Sequence, residues 1–378
     1  MTLDSGPRRG RLRLPFGLGS RPSLVSPRKA LILQPCCLGR VMLTTPLLAA
    51  LGEAFPDARF DWAVSDWARQ AVSSNPRVTR LIHTGAGNIA DATRDELRAL
   101  LDAIRAEGYD TCFIPDAAGE SLARLAREAG VPQRVGLSRD GRRRDLTHAI
   151  IPPPEERGQA RASLALAAAV GVPAAILAAA EMEFHPPDRD RTAVARWLVE
   201  ELDWLADRPL VVMHPGGGRN PVGANLDKRW PAERFARLGN YLVRVHDARV
   251  VVVGTAEEQP LATQVAGMMS LSATARVAVN RAGRIGLGEL GALCELAGLY
   301  VGNDVGSTYV AAATGCPTLA IHGPTDPAIT APYMVNGRVT ALWRPYEGAF
   351  SWAAGVALEE ATAAAEALLQ TSEVSEDL

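Results

Sequence analysis

The sequence predicts an α/β protein made of two successive halves, each built around a parallel sheet. Strand-like and helix-like segments alternate over residues 30–136, and a second series of this kind begins at residue 210. A polar segment with the pair Pro186-Pro187 separates the two series, which is typical of a connection between domains. Alternation of strands and helices places helices on both faces of a parallel sheet. The chain of 378 residues is long enough for two domains of ordinary size.

The first half contains short apolar runs, each ended by a turn, and longer amphipathic segments. One segment shows the helical stripe clearly, because Leu97, Leu100 and Ile104 recur at intervals of three and four residues. A short apolar run that ends at glycine, proline or aspartate indicates a buried strand. The expected strands cover residues 30–33, 60–64, 80–83, 111–114 and 133–136, and the expected helices cover residues 41–55, 67–73, 93–107, 120–129 and 158–170.

The second half repeats this alternation, and its helix boundaries are marked by proline and glycine. Pro231 suits the first turn of a helix, whereas Gly315 and Pro317 end one. The expected strands cover residues 210–213, 249–253, 299–301 and 318–321, and the expected helices cover residues 188–203, 231–246, 260–269, 289–297, 309–314 and 358–369.

Composition and charge exclude some classes of protein. A hydrophobic fraction of 47% is typical of a folded chain, and a formal net charge of −2 argues against a general nucleic-acid binder. No run of 18 uncharged apolar residues is available for a membrane-spanning helix. The five cysteines are odd in number and show no framework spacing, so we expect a reducing, cytoplasmic location. Cys36 and Cys37 lie in an apolar run and are expected to be buried thiols.

The two ends of the chain differ from the rest in composition. Residues 1–29 are rich in arginine, glycine, proline and serine, and we expect them to form a disordered basic tail. Clustered arginine beside a folded domain can also adhere to an anionic membrane surface, so peripheral contact with the inner face of a membrane is the alternative. Residues 371–378 are acidic and are expected to be a frayed end.

The most informative stretch covers residues 299–327, and it has the order strand, glycine turn, helix, strand, glycine turn. Gly302-Asn303-Asp304-Val305-Gly306 forms the first turn, and Ser307 can cap the helix that follows. A tight turn before a helix presents free backbone N–H groups and the positive end of the helix dipole, so it can bind phosphate. The alternative is an ordinary connection between a strand and a helix.

Four glycine-bearing turns of the second half follow strands, at residues 216–218, 254, 302–306 and 323. Turns at the carboxyl ends of parallel strands meet at one edge of the sheet, where ligands bind. Lys228 and Arg229 precede a helix whose dipole disfavours cations, so we expect a negative ligand such as a pyrophosphate to offset them. Both could instead be solvated surface charges.

Two carboxylates stand close to these turns. Glu257 follows Gly254 at the end of a strand, where a carboxylate can accept hydrogen bonds from ribose hydroxyls; it could also be an exposed loop residue. Asp304 can cap the following helix, bind a sugar hydroxyl, or do both.

No nucleophile elbow, zinc-protease motif, CxxC pair or P-loop occurs in the sequence. His214 and His322 each precede a glycine turn at the end of a strand. Neither has an orienting carboxylate beside it in the sequence, so we expect structural or ligand-facing imidazoles rather than a general base.

Three segments together carry a family resemblance. HPGGGRNPVGANLDKRWPAERFARL, VVVVGTAEE and GNDVGSTYVAAATGCPTLAIHGPTDP resemble glycosyltransferase family 9, the heptosyltransferase family, and ILQPCCLGRVMLTTPLLAALGEAFPDARFDWAVSDW resembles its N-terminal domain. The match runs in order from about residue 30 to about residue 345. It implies a GT-B fold, in which two Rossmann-like domains face each other across a cleft and the final helix crosses back to the first domain.

The resemblance also implies a reaction. It predicts an inverting transfer of a sugar, without metal or other cofactor, from a nucleotide donor that is typically ADP-heptose to a lipopolysaccharide-type acceptor. The implied domains are a basic tail over residues 1–29, an acceptor-binding domain over 30–186, a donor-binding domain over 187–350, and a final helix with an acidic tail over 351–378.

The resemblance assigns roles in donor binding to residues of the second half. Lys228 matches the lysine on the donor phosphates, and Glu257 matches the acid near the ribose. A lysine and helix-end N–H groups can stabilise a departing diphosphate without a metal. The complete donor-binding set is Gly216, Gly217, Lys228, Glu257, Asp304, Gly306 and Ser307.

The sequence departs from the family pattern on the acceptor side. The family usually has Gly-Asp in the first loop, with the aspartate as proposed general base, whereas this chain has Gly39-Arg40. An arginine cannot accept the proton of an acceptor hydroxyl. Asp116 and then Asp66, both on the edge of the first sheet, are the candidate replacements, and both are also common turn formers.

Two further positions depart from the D-x-G motif on the donor side. Val305 stands where threonine is usual, and Tyr309 stands where histidine is usual. These departures leave two alternatives to a transferase open. One is a degenerate protein that binds a nucleotide sugar without transferring it, and the other is a different GT-B enzyme such as an epimerase or a phosphorylase.

Overall fold

Each half of the chain forms a six-stranded parallel sheet, which confirms the predicted fold class. The computed structural model describes residues 24–376 apart from 86–88, 117–118, 140, 142–143, 153–157, 221–222, 225 and 271–277. The strands of the first sheet are β1 (Lys29–Leu33), β2 (Arg59–Val64), β3 (Val78–His83), β4 (Thr111–Ile114), β5 (Gln133–Leu137) and β6 (His148–Ile150). Their spatial order is β3-β2-β1-β4-β5-β6.

The second sheet repeats this arrangement. Its strands are β7 (Leu210–His214), β10 (Arg249–Val252), β11 (Ala278–Asn280), β12 (Leu299–Asn303), β13 (Thr318–Ile321) and β14 (Val339–Leu342). The spatial order is β11-β10-β7-β12-β13-β14, and β8 (Arg219–Asn220) pairs antiparallel with β9 (Gly223–Ala224) in the loop after β7.

The helices cover the faces of the two sheets. Those of the first half are α1 (Leu38–Met42), α2 (Thr45–Ala54), α3 (Arg94–Glu107), α4 (Glu120–Glu128), α5 (Gln159–Ala169) and α6 (Ala174–Ala179). Those of the second half are α7 (Asp188–Leu202), α8 (Ala232–His246), α9 (Gln259–Ser270), α10 (Leu287–Leu296), α11 (Gly306–Ala313), α12 (Pro327–Thr330) and α13 (Leu358–Glu376). None of the described helices is long and apolar enough to cross a membrane.

The single helix expected over residues 41–55 is two helices, α1 and α2. Pro46 lacks the N–H group that would continue the hydrogen-bond ladder. The hydroxyl of Thr45 donates instead to the carbonyl of Met42 at 2.8 Å, so that carbonyl keeps a partner where the first helix ends. The proline therefore divides an apolar stretch that periodicity alone predicts to be one helix.

The two ends of the chain are more ordered than expected where the structure describes them. Most of the predicted basic tail, residues 1–23, lies outside the described residues. Its last residues are attached to the first sheet, because Val25 exchanges backbone hydrogen bonds with the side chain of Gln133 at 2.9 and 2.8 Å, and Lys29 already begins β1.

At the other end, α13 continues to Glu376 rather than ending near residue 369. Its buried residues Ala361, Ala365 and Leu368 lie in the core of the second half. Its main contacts are with α8 and with β12, β13 and β14. The crossing back to the first domain that the resemblance implied stays a prediction.

Helix α11 joins the two halves. Tyr309 and Ala313 belong to the apolar core of the first half, whereas Ala311 belongs to a core of the second half. Small side chains allow this close packing: a Cβ atom on Gly306 would lie 2.5 Å from Leu38, at the start of α1. Since α1 follows β1 and α11 follows β12, the carboxyl edges of the two sheets face each other.

We expect Ala312→Leu to lower the free energy of unfolding by about 1–3 kcal/mol, because a larger side chain overpacks the buried face of α11. Ala312 is 1% exposed. Urea denaturation measures the change, and Ala363→Leu on the exposed face of α13 is the matched control. Equal effects of the two substitutions would contradict the shared core described here.

A candidate active site between the two sheets

A cavity of about 950 Å³ lies between the facing edges of the sheets. The first half contributes the loop after β1, the turn after β2 and Asp116 after β4. The second half contributes the glycine loop after β7 and the turns after β10, β12 and β13. This volume is typical of a site for a small ligand or cofactor. No group of three or more histidine, cysteine or acidic residues in the described part of the chain is arranged to hold a metal ion.

Asp304 lines the cavity and is held by several donors. Its carboxylate accepts hydrogen bonds from the ammonium of Lys228 at 2.7 Å, from the Thr325 hydroxyl at 2.7 Å and from the Tyr309 hydroxyl at 2.5 Å. Burial alone would raise the pKa of Asp304, but the positive charge of Lys228 lowers it below its ordinary value. The structure thus brings Lys228, Asp304 and the turn after β12 together, as predicted.

Lys228 keeps some capacity for a ligand in this arrangement. Its ammonium donates to the carboxylate and to the backbone carbonyl of Asp304, the latter at 3.0 Å. A lysine ammonium has three N–H donors, so one remains for an anion in the cavity. Much of its charge is nevertheless balanced by Asp304 before any ligand binds.

Tyr309 takes part in this network, in the position where the family usually has histidine. Its hydroxyl lies within hydrogen-bond distance of both the Asp304 carboxylate and the carbonyl of Thr330. Burial raises the pKa of Tyr309 well above its ordinary value, so the phenol stays protonated and acts as a donor. Its ring also packs close to Gly39, where an added Cβ would lie 3.0 Å from the ring. Tyr309 therefore links Asp304, in the second half, to the first loop.

A second buried carboxylate, Glu258, organises the glycine loop. It is 3% exposed and accepts hydrogen bonds from the backbone N–H of Gly218 at 2.9 Å and of Thr255 at 3.0 Å. The third partner is Nε2 of His214 at 2.9 Å. One side chain thus holds the segments that follow β7 and β10.

Gly216 is required by this arrangement. A Cβ atom at this position would lie 2.1 Å from a carboxylate oxygen of Glu258, which is buried and cannot move aside. Asn303 holds the same loop from the other side, because its side-chain amide donates to the carbonyls of Pro215 at 3.1 Å and Gly216 at 2.8 Å. The loop is therefore fixed by contacts to two neighbouring strand ends.

His214 extends the network to Ser307, at the start of α11. Nδ1 of the imidazole is hydrogen-bonded to the Ser307 hydroxyl, and Tyr300 donates to the same hydroxyl oxygen at 2.8 Å. His214 and Ser307 both line the cavity. No carboxylate adjoins His214 in the sequence, but in three dimensions Glu258 supplies one from the turn after β10.

On the first half, Arg40 and Asp116 form an ion pair at the wall of the cavity. One guanidinium nitrogen of Arg40 lies 2.9 Å from a carboxylate oxygen of Asp116, and both residues line the cavity. Gly39 lines it as well. The predicted acceptor-side loop and the first candidate base are thus adjacent.

Two predicted site residues lie elsewhere. The carboxylate of Asp66 pairs with Nε2 of His83 at 2.8 Å and does not belong to the cavity lining, although the neighbouring Trp67 does. Glu257 is exposed on the turn after β10 and is also outside the lining, so its contact with a ribose stays a prediction. The buried acid of this turn is Glu258.

His322 is buried beneath the site, and burial lowers its pKa.

The cysteines differ from their expected state. Cys36 and Cys37 are half-buried in the cavity wall and their sulfur atoms are bonded to each other, rather than being buried thiols. Cys112, Cys294 and Cys316 are free and buried.

We expect Glu258→Gln to lower the free energy of unfolding at neutral pH by about 1–3 kcal/mol, since the amide cannot accept from every donor that faces it. Burial would raise the pKa of Glu258, but hydrogen bonding and charge from His214 and the backbone lower it from 4.5 to about 2. A carboxyl with a lowered pKa stabilises the fold above pH 4.5 and loses this contribution as the pH falls to 2. The variant should therefore lose less stability than the wild type across this range.

Urea denaturation at a series of pH values measures both effects. The matched control is Glu257→Gln, which makes the same chemical change one residue earlier on an exposed side chain. We expect it to stay within about 0.5 kcal/mol of the wild type. A Glu258→Gln variant with unaltered stability would contradict the conclusion that this carboxylate holds together the segments after β7 and β10.

Comparisons with known proteins agree with this arrangement. Residues 97–349 match the family model for glycosyltransferase family 9 (heptosyltransferase). Lipopolysaccharide heptosyltransferase 2 of Escherichia coli strain K12 is 26% identical over 325 residues, which cover 84% of this chain and 89% of the relative.

Solved structures show the same fold. A glycosyltransferase family 9 protein from Veillonella parvula superposes with a TM-score of 0.76 at 22% identity, covering 93% of this chain and 100% of that one. The ADP-heptose lps heptosyltransferase II of E. coli gives a TM-score of 0.69 at 21% identity, covering 91% and 99%. Two facing parallel sheets and the matched family model together show that the chain belongs to glycosyltransferase family 9 and has the GT-B fold.

Proposed function

We propose that the protein is an inverting, metal-independent glycosyltransferase that moves a heptose-like sugar from a nucleotide-diphosphate donor to a glycolipid or glycan of the cell envelope. The observation that carries the proposal is the shared cavity, whose second-half wall gathers Lys228, Asp304, the glycine loop and Ser307. The names of the relatives support the choice of donor, because solved E. coli heptosyltransferases include complexes with ADP and with ADP-2-deoxy-2-fluoro heptose.

The second half suits a diphosphate in this proposal. Lys228 offers its third N–H, and the first turn of α11 offers backbone N–H groups and the positive end of the dipole. These groups stabilise the negative charge that develops on the leaving diphosphate, which is the main electrostatic demand of the reaction.

The acceptor base in this proposal is Asp116. Arg40, which replaces the usual aspartate of the first loop, lies against Asp116 and fixes its carboxylate at the cavity wall. In this proposal the Asp116 carboxylate takes the proton of the acceptor hydroxyl while the hydroxyl oxygen attacks the anomeric carbon. The bond from this carbon to the donor phosphate breaks, and the diphosphate leaves with the electron pair from the opposite face of the sugar.

A second candidate function rests on the same ion pair. If Arg40 neutralises Asp116 without leaving it accessible to an acceptor, the protein binds a nucleotide sugar and does not transfer it.

The location is proposed as the cytoplasm, with the basic residues before residue 24 in peripheral contact with an anionic membrane face.

We expect Asp116→Asn to lower kcat by about 10²–10⁴-fold with little change in the KM for ADP-heptose, because an amide cannot accept the proton. Release of ADP in the presence of a lipopolysaccharide-type acceptor measures this. Asp66→Asn is the competing variant, since Asp66 is the other candidate base. A comparable loss in Asp66→Asn alone would identify Asp66 as the base. Full activity in both variants would show that neither residue is the base.

We also expect ADP and ADP-heptose to raise the thermal midpoint more than GDP or UDP at equal concentration. A ligand that binds only the folded state stabilises it by about 2.7 kcal/mol at one hundred times its Kd. Lys228→Met should reduce the shift, because it removes the ammonium in the cavity wall. A larger shift with UDP or GDP would contradict the choice of donor.

A further inference from the structure

One large apolar ring in the first-half wall is exposed to the cavity. Trp67 follows β2 and is 45% exposed, whereas Tyr309, whose ring also lines the cavity, is buried. Among the exposed large apolar side chains in the described part of the chain, Trp67 and Ile329 line the cavity. An apolar ring that faces water inside a cleft is a surface for a ligand to cover.

The backbone around this ring is held in place. The N–H of Ser65 donates to the carbonyl of Pro35 at 3.0 Å. The N–H of Asp66 donates to the carbonyl of Gly85 at 3.2 Å. Ala68, which follows the tryptophan, is fully buried in the core of the first half. The ring therefore stands on a fixed turn, and a ligand that covers it does not have to order a loop first.

Polar side chains surround the ring in the same wall. Gln70, three residues further along, and Ser121, near the start of α4, are exposed and line the cavity. Gln159, at the start of α5, lines it as well. These amides and this hydroxyl both donate and accept hydrogen bonds, as the hydroxyls of a sugar do. An acyl chain over the ring would bury these groups without partners, which is unfavourable.

The order of the strands relates Trp67 to the proposed base. In the first sheet β2, β1 and β4 are neighbours, and Trp67, Arg40 and Asp116 follow them in that order. Neighbouring strands lie about 4.8 Å apart, so the ends of β2 and β4 are separated by about 10 Å. A monosaccharide with its exocyclic groups can bridge this distance. A sugar that rests on Trp67 can thus present a hydroxyl to the Asp116 carboxylate.

We propose that the indole ring of Trp67 is the platform on which the acceptor sugar stacks, and that Gln70 binds the hydroxyls of this sugar. The inference rests on the proposed function, in that the groups assigned to the donor diphosphate, Lys228 and the first turn of α11, belong to the opposite wall. The apolar C–H face of the sugar covers the ring, and its hydroxyls reach the polar side chains beside it. Trp67 and Gln70 select the acceptor and take no part in proton transfer.

Steady-state kinetics separate this role from donor binding. Release of ADP is measured with ADP-heptose and a deacylated inner-core oligosaccharide of lipopolysaccharide. We expect Trp67→Ala to raise the KM for the oligosaccharide by about 10–100-fold, because it removes an anchoring ring, with little change in kcat or in the KM for ADP-heptose. Gln70→Ala should raise the same KM by about 2–10-fold. Trp67→Phe keeps a ring and should stay close to the wild type.

The matched control removes an exposed apolar side chain outside the cavity. Leu205 is 68% exposed and precedes β7, at the edge of the second sheet opposite to the cavity. Leu205→Ala should leave both KM values unchanged. Circular dichroism checks that each variant folds. If Trp67→Ala does not fold, the fluorescence of the wild type and of Trp67→Phe decides the question.

Tryptophan fluorescence tests the contact without turnover. The chain has seven tryptophans, and all of them except Trp67 are buried or half-buried. Covering the exposed ring with the oligosaccharide, in the presence of ADP, should shift the emission to shorter wavelength. Trp67→Phe should abolish this shift, while calorimetry shows that it still binds the oligosaccharide.

The outcomes are distinguishable. An unaltered KM for the oligosaccharide in Trp67→Ala, or an unaltered emission of the wild type with the oligosaccharide bound, overturns the platform and leaves the proposed transferase intact. A raised KM for ADP-heptose alone, or an emission shift with ADP alone, assigns the ring to the nucleobase of the donor and also overturns it. A shift with phosphatidylglycerol vesicles but not with the oligosaccharide assigns the ring to a lipid, with the same consequence.

Two further results separate the platform from the proposed function. If the wild type binds ADP-heptose but not the oligosaccharide, the acceptor class and the platform are refuted together, and the choice of donor stands. If the oligosaccharide shifts the emission of Trp67 but ADP-heptose does not bind, the platform stands and the choice of donor is refuted.

Discussion

The second-half wall of the cavity depends on one buried carboxylate, that of Glu258. Its oxygens bind the backbone of the loop after β7, the backbone of the turn after β10 and the ring of His214. A carboxylate without these partners would be very costly to bury, so the burial of Glu258 depends on the three contacts. Gly216 has no side chain because that carboxylate occupies the space. These contacts consequently fix the shape of the glycine loop in the cavity wall.

The first-half wall of the cavity departs from the family pattern. A negative side chain is usual in the first loop of this family, and here that loop carries Arg40. The opposite charge appears on the neighbouring strand end, at Asp116, and the two side chains are in contact. The cavity therefore still contains a carboxylate beside the first loop, although it comes from β4 rather than from β1.

The fold and the location of the site could be predicted from sequence, because both follow from local patterns. Short apolar runs ended by glycine placed Lys228, Asp304 and Gly217 at one sheet edge, and the structure finds them lining one cavity. Which of two adjacent acids is buried was beyond that reasoning. Glu257 and Glu258 differ only in the direction of their side chains, which tertiary contacts decide.

One signal in the sequence could have identified the buried acid. Thr255 and Glu258 are three residues apart and form a capping box, in which the glutamate turns back toward the start of the helical turn. That direction points it at β7 and His214. The pairing of Arg40 with Asp116 had no such local signal, since 76 residues separate the two partners.

Helix α11 has a consequence for how ligands reach the cavity. Its side chains are shared between two apolar cores, and Tyr309 is at once part of the first core and a donor to Asp304. Swinging the halves widely apart would expose this apolar seam to water at a cost of about 25 cal/mol for each Å² uncovered. Substrate and product therefore exchange at least cost through the opening of the cavity, while the two halves stay packed together along α11.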